Sequence, residues 1–350
     1  MTEPDIGPDA ESDVVAWVVS ALRAAGCVFA EDEAQMLLEA AHTSDELDAM
    51  VVQRAAGLPL EHVVGWAEFD GMRVAVDPGV FVPRRRTEFL IDQAALLLAS
   101  ATPSPTGAPT TPTTPTTPSA SGAPTTPSAS GAPTASGSVP SPAPASGYAP
   151  VPAAADAATH PAGHRARRVG DPADGVVVVV DLCCGSGALG VALAVRVRQA
   201  GRRAELYATD LDPVAVRCAR RNVEPAGGQV FQGDLYAPLP ASLRGRVDIL
   251  LANVPYVPSE EVALLPSEAR IHEPLIALDG GCDGLDVLRR VAAEASEWLA
   301  PGGWLLSETS ERQAPTAARV LADAGLVPTV VSSDELYATV VIGRSGMKKP

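Results

Sequence analysis

Val176 to Leu182 form a run that is apolar except for Asp181, and a glycine-rich turn, Cys183-Cys184-Gly185-Ser186-Gly187, leads straight from it into a segment of helical spacing, Ala188 to Gln199. A strand without polar alternation has to be covered on both faces, as parallel strands are in α/β sheets. The same order then recurs. Strands are expected at Ala204 to Ala208, Gln229 to Gln232, Val247 to Ala252, Trp304 to Glu308, Thr329 to Ser332 and Tyr337 to Ile342. Helices are expected at Pro213 to Asn222, Asp286 to Ala300 and Pro315 to Ala324. This pattern predicts a doubly wound, mostly parallel sheet whose ligand lies at the carboxyl ends of its strands. The composition agrees: 46% of the residues are hydrophobic but only 4% are aromatic, so the core has to be built from Val, Leu and Ala.

The rest of the chain divides into different textures. Val14, Val15, Val18 and Leu22 recur at helical spacing after Ser12, the expected N-cap, and stop at Gly26. A second helix is expected at Asp32 to Ala41. Thr43 with Glu46 reads as a capping box for a third, ending near Gly57. Residues 1–64 are thus read as a small helical domain. Residues 65–100 form a connector, with a β-hairpin turning at Asp70-Gly71 and a helix from Phe89 to Leu98. From 101 to 171 the chain is Pro, Thr, Ser, Ala and Gly in loose repeats, with no charge between Gln93 and Ala155. Its apolar surface is too small to offset the entropy of ordering, which predicts a disordered insertion. Residues 172–345 carry the α/β domain.

Charge and cysteines narrow the function classes. A formal net charge of −16 disfavours nucleic acid, whose phosphates are met by clustered Lys and Arg. Residues 1–50 hold twelve acids and Arg23 as their one base, a solvated surface or a face for a basic partner. Cys27, Cys183, Cys184, Cys218 and Cys282 make no CxxC pair and no even framework, so neither zinc nor disulfides are expected. His160 and His164 stand four apart inside the insertion, without a helix to hold a metal. No apolar run approaches the roughly 20 residues of a membrane span. The expectation is a cytoplasmic, monomeric protein that binds no metal and no membrane.

Three strand ends carry the chemistry. At the first, Gly185, Gly187 and Gly190 let backbone approach a nucleotide-like ligand. Taken alone they also match the GxGxxG of a dinucleotide-binding dehydrogenase, with Asp210 at the spacing of a ribose acid. Asp210, at the end of the second strand, can accept both ribose hydroxyl protons, although Asp212 or Pro213 next to it can be simply the start of a helix. Asp234, at the end of the third, can accept from an adenine amino group. Asn253-Val254-Pro255-Tyr256 follows the fourth strand, and a dehydrogenase has no use for it. The lone pair of an amide nitrogen is delocalised into its carbonyl, so an enzyme acting on it must hold both N–H groups and aim the nitrogen. The Asn253 side-chain oxygen and the Val254 carbonyl can take those two protons, and Tyr256 can wall the planar amide.

At these residues the chain resembles the HemK-like bacterial protein-glutamine N5-methyltransferases, which modify the GGQ glutamine of peptide-chain release factors. The likeness includes Gly57 to Gly65, Val82-Pro83-Arg84 with Thr87-Glu88, and the glycine loop. It continues through Asp210, Asp234, Asn253 to Tyr256, Glu273-Pro274, Gly280-Gly281, Pro301 to Trp304, Glu308 and Gln313. It implies a seven-stranded Rossmann-like methyltransferase sheet, S-adenosylmethionine as cofactor and a protein substrate. It further implies that Asp181 and the loop Cys183, Cys184, Gly185, Ser186 and Gly187 hold the methionine part, Asp210 the ribose, and Asp234 with Leu235 the adenine region. Asn253, beside the cofactor, would hold the glutamine with Val254, Pro255 and Tyr256, and the helical domain would help dock the protein substrate. The chain departs from the family at Val254, usually Pro, at Cys183 and Cys184, usually Gly and Thr, and at Arg85-Arg86. Two other readings share the same residues: an adenine-N6 nucleic-acid methyltransferase, whose exocyclic amine poses the same orientation problem, and a catalytically silent cofactor-binding or docking protein.

Overall fold

A computed structural model of the chain describes residues 8–101 and 175–346. The insertion read at 101–171 lies, beyond its first residue, outside the described residues, as do His160 and His164. The chain enters as helices α1 (Pro8–Ala24), α2 (Ala30–Ala40), α3 (Ser44–Ala55) and α4 (Leu60–Val64), which bury Val18, Leu22, Ala34, Leu37, Leu47 and Val51 between them. Two local expectations need correcting. Ser12 lies inside α1 rather than capping it, because the helix already runs from Pro8, whose fixed φ suits a first turn. The box at α3 is displaced: Thr43 Oγ1 accepts from the Glu46 N–H at 3.2 Å, but the Glu46 carboxylate reaches back one residue further, to the His42 N–H at 2.8 Å. The turn α4 was not expected.

The hairpin β1 (Trp66–Phe69) and β2 (Met72–Ala75) turns through Asp70 and Gly71, with φ of 52° and 69°, the left-handed pair that a two-residue hairpin loop requires. Helix α5 (Glu88–Ser100) follows. Beyond the insertion come β3 (Val176–Leu182), α6 (Ala188–Gln199), β4 (Arg203–Asp210), α7 (Pro213–Val223), β5 (Gln229–Gln232), β6 (Val247–Ala252), α8 (Ser267–His272), α9 (Asp286–Trp298), β7 (Leu299–Thr309), α10 (Ala314–Asp323), β8 (Val327–Ser333) and β9 (Ala338–Arg344).

The seven strands of the main sheet run in the order β5-β4-β3-β6-β7-β9-β8, with β9 antiparallel to both of its neighbours and the other pairs parallel. Val177 and Val179 of β3 face a core shared with α5, α6 and α7, while Val178, Val180 and Leu182 face one shared with α9. Both faces of β3 are therefore buried, which explains its nearly unbroken apolar sequence. Helix α9 stops two residues earlier than expected and β7 starts at Leu299. There the pairing with β6 jumps from Val247 opposite Leu299 to Ile249 opposite Trp304, so Ala300 to Gly303 are extra residues on β7, turned by Gly302 at φ 83°. Tyr337, expected in the last strand, sits before it at φ 48°. No helix of the described residues is long and apolar enough to cross a membrane.

The chain winds from β3 outward to β5, then returns to place β6 on the other side of β3. That reversal opens a crevice at the carboxyl ends of β3 and β6, where an α/β sheet binds its ligand.

Candidate active site

A cavity of about 570 Å³ occupies that crevice, a size usual for small-molecule sites. Its wall contains Asp181 near the end of β3 with Cys183, Cys184, Gly185 and Ser186 after it, Asp210 at the end of β4, Asp234 and Leu235 after β5, and Asn253 to Tyr256 after β6. The residues singled out from the sequence thus converge from four strand ends, with one exception. Gly187 does not line the cavity: a Cβ there would stand 2.6 Å from Val223 Cγ2, so its role is to let the loop pack on α7. Gly190 is similar, with Leu206 at 2.8 Å from a built Cβ. Gly185 alone of the three has open space where a side chain would be, which leaves backbone facing the cavity.

Cys183 holds φ at 54°, in the left-handed region that suits glycine, a cost of about 1–2 kcal/mol for a residue with a Cβ. Burial and the nearby carboxylates of Asp210 and Asp181 push its thiol well above the usual cysteine range. Cys184 is raised in the same way. Both are therefore neutral thiols and serve as lining rather than as nucleophiles.

Asp210 organises the loop beneath the cavity. Its Oδ2 accepts the Gly185 N–H and its Oδ1 accepts the Asp212 N–H, both at 2.9 Å, and burial raises its pKa against those two donations. Each oxygen keeps a second lone pair for a ligand hydroxyl. Asp212 caps α7, its Oδ1 accepting the Val214 N–H at 2.8 Å, so the two neighbouring acids divide the work between ligand and helix. Asp234 is paired with Arg290 of α9 at 2.5 Å, a partner with no signal in the sequence.

Asp181 is fully buried, accepts the Gly190 N–H at 2.9 Å, and burial pushes its pKa up to about 8. The folded chain therefore keeps a proton that the unfolded chain releases near pH 4, so this group's contribution to stability falls as pH rises from there through about 8. Asp181→Asn keeps an oxygen for Gly190 and removes the titration. Its Tm is expected to gain on the parent's as pH is raised from about 5 to about 9, and a gap that stays constant across that range would contradict a protonated Asp181.

The Asn253 side-chain oxygen is buried and has no hydrogen-bond partner among the described residues, an acceptor held in reserve at the strand end. The segment after it is fixed at two points. The Tyr256 carbonyl accepts from Gln313 Nε2 at 2.8 Å, and the same side-chain nitrogen donates to the Asp283 carbonyl at 2.9 Å. The Tyr256 hydroxyl donates to Glu308 Oε1 at 2.8 Å and accepts from the Arg86 guanidinium at 2.6 Å. Burial and Glu308 push the phenol well above its usual range, so it stays protonated. Phe81, Arg84, Arg86 and Glu273 also line the cavity, brought in by the connector between hairpin and α5 and by the turn after α8. None of the four was singled out as a site residue, since only long-range folding places them there.

A family model described as the methyltransferase small domain matches residues 172–281. A release factor glutamine methyltransferase of Deinococcus radiodurans is 31% identical over 277 residues, 79% of this chain and 70% of that protein. The chain belongs to the release factor glutamine methyltransferase family. A member from Gloeobacter violaceus is 43% identical over 148 residues, 41% of this chain and 49% of its own length, so the closer likeness spans about half of that relative. A ribosomal protein uL3 glutamine methyltransferase of Burkholderia pseudomallei is 40% identical over 144 residues, 39% of this chain and 45% of that one.

The cofactor of this methyltransferase family is S-adenosylmethionine, and the cavity suits it. Open space at Gly185 allows close backbone approach, and Asp210 has lone pairs available to a ribose diol.

Proposed function

We propose that this protein methylates the side-chain amide nitrogen of a glutamine on a protein, namely a bacterial peptide-chain release factor. The observation that carries this reading is the buried, unpartnered Asn253 oxygen, set one residue past β6 and beside the glycine loop. S-adenosylmethionine, when bound, supplies an electrophilic methyl group carried on a sulfonium sulfur. The protein supplies geometry. Asn253 Oδ1 accepts one amide N–H, the Val254 carbonyl accepts the other, and the Tyr256 ring lies against the amide plane. The nitrogen lone pair is thereby aimed along the line of displacement: as the N–CH3 bond forms the S–CH3 bond would break, the bonding electrons would stay on sulfur as a neutral thioether, and one of the two amide protons would pass to solvent water. Neither the phenol of Tyr256 nor the thiols of Cys183 and Cys184 can act as a base near neutral pH, since all three are held protonated. Rate enhancement here comes from orientation, an effect that can reach several orders of magnitude.

A family pattern of Asn-Pro-Pro-Tyr becomes Asn-Val-Pro-Tyr in this chain, and Val254 is buried, with only 2% of its surface exposed. Its carbonyl is retained as an acceptor, but the φ restraint of proline is not. Gln313 and Glu308 restrain the segment from its other end.

The test is incubation of the full chain with isotopically labelled S-adenosylmethionine and, in separate reactions, a purified bacterial release factor and ribosomal protein uL3, followed by peptide mass spectrometry. A single methyl group on a release-factor glutamine is expected. Methylation of uL3 alone would keep the chemistry and replace the substrate. Label in neither protein would remove the reading.

A further inference from the structure

We propose that Arg86 is a positioning residue for the amide-holding segment: its guanidinium clamps the Tyr256 hydroxyl against Glu308 and so fixes where the ring that walls the substrate amide lies. The inference rests on the reading of Asn253 to Tyr256 just given.

Four side chains from three parts of the chain meet at one point. Glu308, near the end of β7, is buried; its Oε2 accepts from Thr87 Oγ1 at 2.6 Å, and its Oε1 accepts from both Arg86 Nε and the Tyr256 hydroxyl at 2.8 Å. A second guanidinium nitrogen of Arg86 donates to the Tyr256 oxygen at 2.6 Å. Arg86 and Tyr256 thus share one carboxylate oxygen and also bond each other, which closes a triangle. Thr87, almost wholly buried, fixes the carboxylate from behind.

Such a triangle constrains a degree of freedom that the backbone leaves loose. Gln313 holds the Tyr256 carbonyl, but the side chain can still swing among its staggered positions about the inner torsion, and the two contacts at the hydroxyl select one of them. Adjacent N–H donors on a planar guanidinium can address a carboxylate and a phenol together, in a fixed relation. A lysine presents one point charge and cannot hold both acceptors in that geometry. Arg86 lines the cavity beside Tyr256, and its position falls within the Arg85-Arg86 departure from the family's usual sequence. The clamp acts on the same tetrapeptide in which Val254 lacks the fixed φ of proline.

A double-mutant cycle tests this. Arg86→Gln, Tyr256→Phe and the double variant are assayed for kcat and KM on a purified release factor, and for S-adenosylmethionine Kd by calorimetry. If Arg86 acts through the ring, Arg86→Gln lowers kcat roughly 10- to 100-fold, the scale of a misplaced reacting group, and leaves the cofactor Kd within about twofold. In the Tyr256→Phe background the same change costs less than about twofold more, because contacting residues that act together are not additive. Arg86→Lys restores only part of the rate. Should Arg86→Gln fail to fold, Arg86→Lys, which keeps a cation beside Glu308, takes its place in the cycle with the same non-additivity required. Unchanged kcat, or an equal loss with and without the tyrosine hydroxyl, overturns the proposal. Asn253→Ala runs alongside: if that variant keeps full activity, the amide reading itself fails. An inactive Asn253→Ala with a fully active Arg86→Gln removes the clamp alone.

Discussion

Replacing Asn253 by alanine is expected to lower methyl transfer by roughly 10³-fold, the scale of losing one preorganised polar contact at a reacting centre together with its orienting effect. S-adenosylmethionine should still bind, because Gly185, Asp210 and Asp234 are untouched. The size of the loss follows from the nucleophile. An amide nitrogen whose lone pair is delocalised gains nothing from proximity unless the amide is turned so that the lone pair faces the methyl group. One acceptor leaves it free to rotate about the remaining hydrogen bond. The fold should survive, since the Asn253 oxygen makes no hydrogen bond among the described residues and its removal orphans no partner there. The Ala252 carbonyl keeps its bond from Ser307 Oγ at 2.7 Å, and Tyr256 keeps Glu308, so the backbone on both sides stays anchored. Steady-state kinetics should show the loss in kcat, with thermal unfolding close to that of the parent. A variant that turns over at the parental rate would mean that the carboxamide does not hold the substrate.

What the sequence reveals of this site depends on whether a residue's role is local. Asn253 was legible because it directly follows a strand that is apolar but for Asp248, and β6 ends where the apolar run does. The bounds of β3 and α6 were legible for the same reason: a strand buried on both faces leaves no ambiguity of pattern, and glycine marks the turn. The three glycines of the loop look alike in sequence, yet only two of the positions lack room for a side chain. Gly185 faces the cavity, whereas Gly187 and Gly190 make room for Val223 and Leu206. Spacing cannot separate ligand approach from helix packing. Asp234 was visible as an acid just past a strand end, but its ion pair with Arg290 joins residues 56 apart, and Arg86 finds Glu308 across 222 positions. No periodicity encodes such pairs; strand order brings them together. The start of β7 was missed for a different reason. Ala300 to Gly303 are accommodated as extra residues against β6, and a Pro-Gly-Gly sequence reads as a loop until a neighbouring strand pairs on either side of it.

Gly284→Ala is expected to be the most damaging single-methyl change near the site. Gly284 has φ 77°, and a Cβ on it would run into both the Tyr256 carbonyl and Gln313 Nε2. Those two atoms form the hydrogen bond that holds the tetrapeptide's last residue from outside the cavity. The left-handed conformation alone costs a non-glycine residue about 1–2 kcal/mol, and forcing a methyl into occupied space adds about 1–3 kcal/mol. Gly325→Ala separates the two contributions, since Gly325 has φ 80° but open space where its Cβ would go. That variant should lose stability only by the conformational cost and keep its methyl-transfer rate. Gly284→Ala should unfold at a still lower temperature by several degrees, on the order of 2–4 °C per kcal/mol for a domain of this size, and should lose activity out of proportion to its folded fraction. The collision can be relieved only by moving Tyr256 or displacing Gln313. Either movement shifts the ring and the Val254 carbonyl relative to the cofactor loop, and a displacement of about 1 Å at a reacting centre is enough to cost about 100-fold in rate. Equal stability losses in the two variants, with transfer intact in both, would show that the loop after Leu278 does not brace the tetrapeptide and that its geometry is set from the β6 side alone.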